Sequence, residues 1–255
     1  MNNDLDFLLA EIDLLKGELD LLNDRFDEQL LQTLAVEYSY QSNRIGGSTL
    51  TPVETEMAIK IGLTIPGKAM WEYLSAINHN QAIQFIREQV DEHALLSETL
   101  IKQIHAILLR SIDREQAGIY RTRALTPPPG HHAPPPASEL PELVAEMLHW
   151  LRLEGPFVHP VIFAAEAHQR LLFLHPFIAA NGTCARLLMN FILLQEGYPV
   201  LNLRGDAESC RAYFHALELA HNGTDKTPWF RLIAEHMMSE IKGLLGRVEP
   251  ELSQE

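Results

Sequence analysis

Hydrophobic residues recur at helical spacing along most of the chain. Near the N-terminus they step by three and four residues, at Leu5, Leu8, Ile12, Leu15, Leu19, Leu22 and Phe26. This spacing predicts an amphipathic helix with an apolar stripe about three heptads long. Such a stripe fits either a dimeric coiled coil or a helix packed on its own domain. We favour packing on the domain, because three heptads that contain Gly17 are short for a coiled coil.

The helical pattern continues after residue 30, with short breaks at Gly46-Gly47, Thr51-Pro52 and Ile65-Pro66-Gly67. Further helices are predicted over 141–153, from Pro160 or Val161 to His175, from near Thr183 to about Gln195, over 207–220 and over 229–245. The exception is Gly118 to Pro136, where six prolines fall within ten residues. Prolines at this density exclude interior strands and predict a loop, or at most a frayed hairpin. The predicted fold class is therefore all-α.

Composition and charge exclude several classes of protein. The 255 residues are 46% hydrophobic and 21% charged, which is typical of a packed globular chain. The formal charge of −14 opposes binding to nucleic acids and to anionic membranes. Two cysteines, Cys184 and Cys210, are too few for a disulfide framework or a zinc site. We find no leader and no uncharged apolar run of about 18 residues, so we expect a cytoplasmic protein.

One stretch carries candidate chemistry: His175-Pro-Phe-Ile-Ala-Ala-Asn-Gly-Thr-Cys-Ala-Arg186. A predicted helix ends at His175, and a second helix begins near Asn181-Gly182-Thr183 after a tight turn. The first N–H groups of that helix, together with its dipole, would bind an anion such as a polyphosphate. Arg186 would face the same anion, and His175 would act as a general base. An ordinary helical corner with His175 as a cap fits the same pattern.

This stretch resembles the active-site motif of the Fic family, His-Pro-Phe-x-(Asp/Glu)-Gly-Asn-Gly-Arg-x-x-Arg. Six of the nine fixed positions are kept: His175, Pro176, Phe177, Asn181, Gly182 and Arg186. Upstream, Gly118-Ile-Tyr-Arg121 resembles the family's Gly-x-Tyr-Arg before its flap. Ser42-Asn-Arg-Ile-Gly46-Gly resembles the family's Ser-x-x-x-Glu-Gly inhibitory helix. The resemblance covers about residues 5–240.

The resemblance implies an all-α Fic helical bundle with a small β-hairpin or Pro-rich flap and an N-terminal helical extension. It divides the chain into an N-terminal helical region with the inhibitory helix (1–105), a Fic core (106–245) and a tail (246–255). In the family, the motif histidine deprotonates a hydroxyl group of a target protein, which then attacks the α-phosphate of ATP. His175 holds that position. Asn181, Gly182, Thr183 and Arg186 hold the positions that bind the phosphates, with Pro176 and Phe177 as structural support.

Four positions depart from the family pattern. Ala179 replaces the carboxylate that holds Mg²⁺, a cation that requires oxygen ligands, so the resemblance leaves the use of Mg²⁺ in doubt. Ala180 replaces a glycine of the turn, Thr183 replaces the first arginine, and Gly46 replaces the inhibitory glutamate that would pair with Arg186. Removing one group that offsets transition-state charge typically costs about 10²–10³ in rate. We therefore expect a degenerate adenylyltransferase whose AMP transfer is weak or lost.

Alternatives remain open at this stage. A non-catalytic nucleotide-binding or protein-interaction module on a Fic scaffold fits the same sequence, as does an enzyme with another phosphate donor. Gly46 fits either a derepressed enzyme or a joint loss of activity and inhibition. The expected partners are ATP or another nucleotide and a protein target that the sequence does not name, and a homodimer is an option.

Three weaker candidates accompany the motif. Tyr213 lies where the family often has a tyrosine near the adenine, although core packing explains it at least equally well. His131 and His132 lie in the Pro-rich loop, where no third metal ligand is apparent. We interpret these two histidines as solvated loop residues, and we predict no protein-held metal.

Overall fold

A computed structural model describes residues 3–64, 66–126, 132–223 and 225–248. These residues form ten α-helices: α1 Asn3–Asp20, α2 Glu28–Ile45, α3 Pro52–Ile61, α4 Met70–Asp91, α5 Glu98–Leu109, α6 Leu140–Leu153, α7 Pro160–Leu174, α8 Asn181–Gln195, α9 Ala207–Asn222 and α10 Thr227–Val248. The described ranges contain no β-strand, so the all-α prediction is confirmed. Within those ranges, every helix is too short or too polar to cross a lipid bilayer.

The flap differs from the hairpin that the resemblance implies. Residues 119–126 and 132–136, on either side of its tip, form no strand. Pro127–Pro129 and His131 lie outside the described residues. The prolines explain the difference in the described part, since Pro134 to Pro136 have no N–H groups to donate to a strand ladder.

Helices α7 and α8 form the centre of the bundle and pack along each other. Most residues of both helices are buried, including several polar ones, so neither helix has a broad solvent face. In α8, every residue from Cys184 to Leu193 is buried. Helices α4 and α5 pack against α8, while α9 and α10 pack against α7. The turn between the two central helices is therefore fixed by contacts on both sides.

The N-terminal helix packs on its own domain, as we favoured. Ile12 is fully buried and Leu9 and Leu19 are nearly so, in the same core as α10. At the edge of this contact, the Nζ atom of Lys242 lies 2.8 Å from a carboxylate oxygen of Glu11. Because the apolar stripe packs in the core of the same chain, it is not available for a coiled-coil dimer.

One predicted helix start differs from the structure, and the predicted division of the chain into regions stays untested. Helix α8 begins at Asn181, two residues before the predicted start, because the Asn181 side chain bonds back to the preceding turn. Helix α5 continues across residues 105 and 106, where we placed the boundary between the N-terminal region and the Fic core. The division into 1–105, 106–245 and 246–255 stays a prediction.

Candidate active site

A cleft of about 720 Å³ opens where α7 ends and α8 begins. Its volume lies in the range of small-molecule sites. The predicted site residues that line it are His175, Ala179, Ala180, Asn181, Gly182, Thr183, Arg186, Gly46 and Tyr213. Pro176 and Phe177 are buried in the turn itself. The structure therefore brings the motif, the end of α2 and one face of α9 to a single cleft.

His175 is held in an unusual backbone conformation at the end of α7. Its φ of 43° and ψ of 60° lie in the left-handed region, which few residues other than glycine adopt. The Nδ1 atom donates a hydrogen bond to the Leu172 carbonyl oxygen. Because a carbonyl only accepts, Nδ1 carries the proton and Nε2 keeps its lone pair. Burial lowers the pKa of His175, and nearby His132 and Arg121 lower it further, which favours the neutral form.

Arg121 joins the flap to the histidine turn. Its backbone N–H donates to the Pro176 carbonyl at 2.9 Å, and its Nε donates to the His175 carbonyl at 2.8 Å. Its Nη2 donates to the Pro135 carbonyl at 2.6 Å. The guanidinium is buried, so these bonds are shielded from water and fix the position of the turn. The sequence marked Arg121 only as part of a matching motif and did not predict this role.

His105 supports the same turn from α5. Its ring stacks on Phe177 with centroids 3.7 Å apart and planes 4° from parallel. The Gly118 N–H donates to its Nδ1 at 2.9 Å, so Nε2 carries the proton and donates to the Ala179 carbonyl at 3.1 Å. Burial lowers the pKa of His105 to about 4. Sequence analysis missed this residue, which looks like any other position of an amphipathic helix.

The start of α8 offers backbone donors to an anion. Asn181 closes the turn, because its Oδ1 accepts from the Phe177 N–H at 2.9 Å and its Nδ2 donates to the Phe177 carbonyl at 2.8 Å. Ala180, at the N-cap, has a φ of 56° and makes no side-chain cap. In the described ranges, no acceptor is found for the N–H groups of residues 181–183, so these donors at the positive end of the helix are free to bind an anion.

Arg186 is buried and is held by neutral oxygens. Its Nε donates to the Ser42 hydroxyl and its Nη2 to the Ser42 carbonyl, each at 2.9 Å. The Nη2 atom also donates to the Thr183 hydroxyl at 3.3 Å. A Cβ atom placed on Gly182 would lie 3.2 Å from Nη1, so this nitrogen lies beside Gly182 at the start of α8. The bonds to Ser42 and Thr183 use Nε and Nη2, which leaves the two N–H groups of Nη1 on this side.

The side chains of the cleft do not fit the Mg²⁺ site that the resemblance implies. Ala179 presents a methyl group, and its carbonyl oxygen is bonded to His105. Glu218 is the only acidic side chain among the described residues that line the cleft. No group of three or more His, Cys, Asp or Glu in the described ranges could hold a metal ion. In nucleotide sites Mg²⁺ is usually held by one or two carboxylates together with substrate phosphates and waters, and Ala179 does not supply the carboxylate at the motif position.

The weaker candidates Tyr213 and His132 both line the cleft. Tyr213 lines the cleft and also packs in the core, where its hydroxyl lies 2.9 Å from the His168 Nε2. His132 corrects our interpretation, because it is half-buried rather than a free loop residue: its ring stacks on Phe173 with centroids 4.0 Å apart, and its Nε2 bonds to the Phe173 carbonyl. Sequence analysis missed His221, which also lines the cleft. Its ring centroid lies 5.0 Å from the ring centroid of His132. Burial lowers the pKa of His221 to about 4.

Known proteins similar to this chain have Fic domains. The sequence profile of the Fic/DOC family matches residues 95–193. Protein adenylyltransferase Fic from Drosophila virilis is 31% identical to the chain over 200 residues, and the protein of the same name from Drosophila grimshawi is 32% identical. Each alignment covers 78% of this chain and 40% of the relative, so the chain spans less than half the length of these relatives.

Solved structures agree with this match. Fic-1 from C. elegans superimposes with a TM-score of 0.84 at 27% identity, over 96% of this chain and 73% of that one. A Fic family protein from Desulfovibrio desulfuricans G20 also gives 0.84, at 21% identity, over 100% of this chain and 78% of that one. At this lower identity, the second likeness shows the fold alone.

Proposed function

Because the chain belongs to the Fic/DOC family, we propose that its cleft binds ATP or another nucleotide and that its transfer of AMP to protein hydroxyl groups is weak or lost. The relatives named as protein adenylyltransferases support the type of reaction. The small number of positively charged and metal-binding side chains in the cleft supports weak activity. The first argument therefore rests on the relatives, and the second rests on the residues of the cleft.

The proposed reaction uses His175 as its base. A hydroxyl group of the target protein would give its proton to Nε2, and its oxygen would attack the α-phosphate of ATP. The bond between the α-phosphorus and the oxygen that bridges to the β-phosphate would break, and pyrophosphate would leave. The bond from Nδ1 to Leu172 and the bonds from Arg121 to the turn hold the imidazole in the required tautomer and place. Its lowered pKa keeps the imidazole unprotonated near neutral pH, as a general base requires.

The phosphates would bind at the start of α8. The N–H groups of residues 181–183 and the Nη1 of Arg186, which lies beside Gly182, would share the phosphates, and no side chain lost from the motif is needed for these contacts. Thr183 would add its hydroxyl, which already bonds Arg186. Tyr213 and its neighbours on α9 form the wall on which a nucleobase would lie.

One observation carries the claim of weak activity. Ala179, at the position of the metal-binding carboxylate, presents only a methyl group, and Thr183 supplies no positive charge. Arg186 is then the only cationic side chain among the described residues that line the cleft, apart from its histidines. A triphosphate brings several negative charges, and each missing charge-offsetting group typically costs about 10²–10³ in rate. Groups of one constellation act together, so the two losses need not multiply.

A second candidate function is a protein-interaction module without catalysis. The rim of the cleft favours it, because Trp71, Ile112 and Phe214 line the cleft and are 44%, 38% and 49% exposed. Exposed apolar groups around a groove are typical of sites that bind other proteins. A Fic scaffold with this rim would bind a target segment without modifying it.

Repair of the motif separates the two functions. The triple variant Ala179→Asp, Ala180→Gly and Thr183→Arg returns an oxygen ligand for Mg²⁺, a residue suited to positive φ and a second arginine. With labelled ATP and Mg²⁺, we expect this variant to modify itself with AMP at least about 100-fold faster than the parent. Adding His175→Ala should abolish the gain. A triple variant that melts like the parent but shows no gain would favour the interaction module.

A further inference from the structure

A second cavity, of about 400 Å³, lies apart from the active-site cleft. It is lined by residues of α1, α2, α4, α8 and α10 and by residues 197–202, and it shares no lining residue with the cleft. Most of its wall is apolar and includes Leu19, Phe26, Leu34, Val90 and Leu244. Its volume is within the range of sites that bind small molecules.

A guanidinium group whose Nε atom has no hydrogen-bond partner lines this cavity. Arg87 of α4 is half-buried, and its Nε is buried without a hydrogen-bond partner. None of the ion pairs in the described ranges includes Arg87. Burial lowers the pKa of Arg87 and nearby Asp91 raises it, but an arginine stays charged in proteins. Asp91 offsets part of this charge, but the buried Nε–H still lacks an acceptor, so an anionic oxygen placed beside it would gain a charge-assisted hydrogen bond.

The other polar groups of the cavity limit the anion to a single charge. Asp20, Asp91 and Glu240 all line the wall. Since only Arg87 brings positive charge among the described lining residues, these carboxyl groups would repel a phosphate dianion more than a monoanion. The Oδ1 atom of Asn202 is also buried without a donor, so a ligand hydroxyl group would be accepted there.

We propose that this cavity binds a small monocarboxylic acid with an apolar body. The carboxylate accepts hydrogen bonds from Arg87, and the apolar body fills the space between Leu19, Leu34 and Leu244. A straight chain of about eight carbons suits a cavity of this size, since small-molecule sites enclose most of their ligand. The site is independent of the nucleotide chemistry, because no group of the cleft takes part in it.

Titration of the purified chain with octanoate tests the proposal. We expect calorimetry to show saturable binding at one octanoate per chain, with a matching rise in melting temperature. Octan-1-ol, which has the same chain length without the charge, should bind at least about tenfold more weakly. Inorganic phosphate should not compete. Octanol that binds as tightly as octanoate, or octanoate that does not bind, would overturn the proposal.

Two variants locate the binding. Arg87→Met removes the charge at similar length and should weaken octanoate binding at least about tenfold. Its matched control is Arg114→Met, at an exposed arginine that does not line the cavity and should change the affinity less than about twofold. Leu34→Trp fills the cavity and should abolish octanoate binding while ATP binding in the cleft stays unchanged. Unaltered octanoate affinity in folded Arg87→Met or Leu34→Trp protein would place the ligand elsewhere and contradict the proposal.

Discussion

The turn between α7 and α8 has two halves that differ in burial and in chemistry. In the first half, Phe177 is fully buried, and the backbone of residues 175–177 is bonded by Arg121 and Asn181. In the second half, Ala179 is exposed and Thr183 is half-buried. The first half matches the family motif at its three fixed positions, whereas the second half keeps Asn181 and Gly182 but departs at Ala179, Ala180 and Thr183. The fold thus depends on one half, and the charge needed for catalysis on the other.

This separation explains how the charged side chains can be absent while the turn keeps its shape. A buried residue such as Phe177 is constrained by every side chain that it contacts. An exposed position such as Ala179 tolerates substitution, because few contacts are made or lost there. The shape of the turn therefore gives no measure of the activity of the site.

The largest expected effect is on the free energy of unfolding, which should fall more for a substitution in the first half of the turn than for one in the second half. Phe177→Ala removes a fully buried ring and its stack with His105, and it should lower the free energy of unfolding by about 3–5 kcal/mol. Thr183→Ala removes one hydrogen bond and should cost about 1 kcal/mol or less. Urea denaturation measures both. Phe214→Ala, at a half-exposed phenylalanine of the same cleft, is the matched control for the loss of an aromatic ring. Equal losses of unfolding free energy in Phe177→Ala and Thr183→Ala would contradict the comparison.

The first half should also be sensitive to acid through His105. Its pKa falls from 6.5 in the unfolded chain to about 4 in the fold, so the unfolded chain binds the proton more readily. The stability from His105 is therefore complete above about pH 6.5 and is lost as the pH falls towards about 4. At about pH 5 the loss is about 2 kcal/mol.

His105→Gln, which keeps a polar side chain but does not titrate, isolates this contribution. The difference in unfolding free energy between about pH 7.5 and about pH 5 should be smaller by about 2 kcal/mol in the variant. Other buried histidines contribute equally to both proteins. His215→Gln, at an exposed histidine of α9, should leave the difference unchanged. If His105→Gln leaves it unchanged as well, then His105 is not the acid-sensitive support of the turn.

The smallest of these effects concerns Arg186 in the second half. Gly46 has a φ of −77°, which other residues adopt, and a Cβ atom there would lie 3.2 Å from the Asn43 carbonyl oxygen. Gly46→Glu lies one helical turn after Ser42, which already bonds Arg186, so its carboxylate would compete with a phosphate for the guanidinium. We expect ATP to bind roughly tenfold more weakly.

A fluorescent ATP analogue measures this change by titration. Gly46→Gln has nearly the same size without the charge and should bind the analogue within about twofold of the parent. If glutamine weakens binding as much as glutamate does, then the effect is steric and Arg186 does not hold the phosphate.

The sequence predicts the helices of the fold better than it predicts the contacts that hold the candidate site in place. Helical periodicity and turn residues predicted α6, α7 and α9 to within two or three residues, because these signals are local. The bond from Arg186 to Ser42 joins residues 144 positions apart, and the bond from His105 to Ala179 spans 74. Such pairs depend on helix packing, which no local pattern encodes. The same reason explains our error at His132, whose partner Phe173 lies on another element.

Calorimetric titration of ATP, once with Mg²⁺ and once with EDTA, tests most directly whether the cleft keeps its anion site without a metal site. The N–H groups of residues 181–183 and Arg186 bind phosphate in either condition, so we predict weak binding with dissociation constants within about threefold of each other. Arg186→Met should weaken both equally. Tight binding that EDTA abolishes would contradict the account, because another group would then hold the metal. Absence of binding in both conditions would contradict it as well, because the anion site would not work.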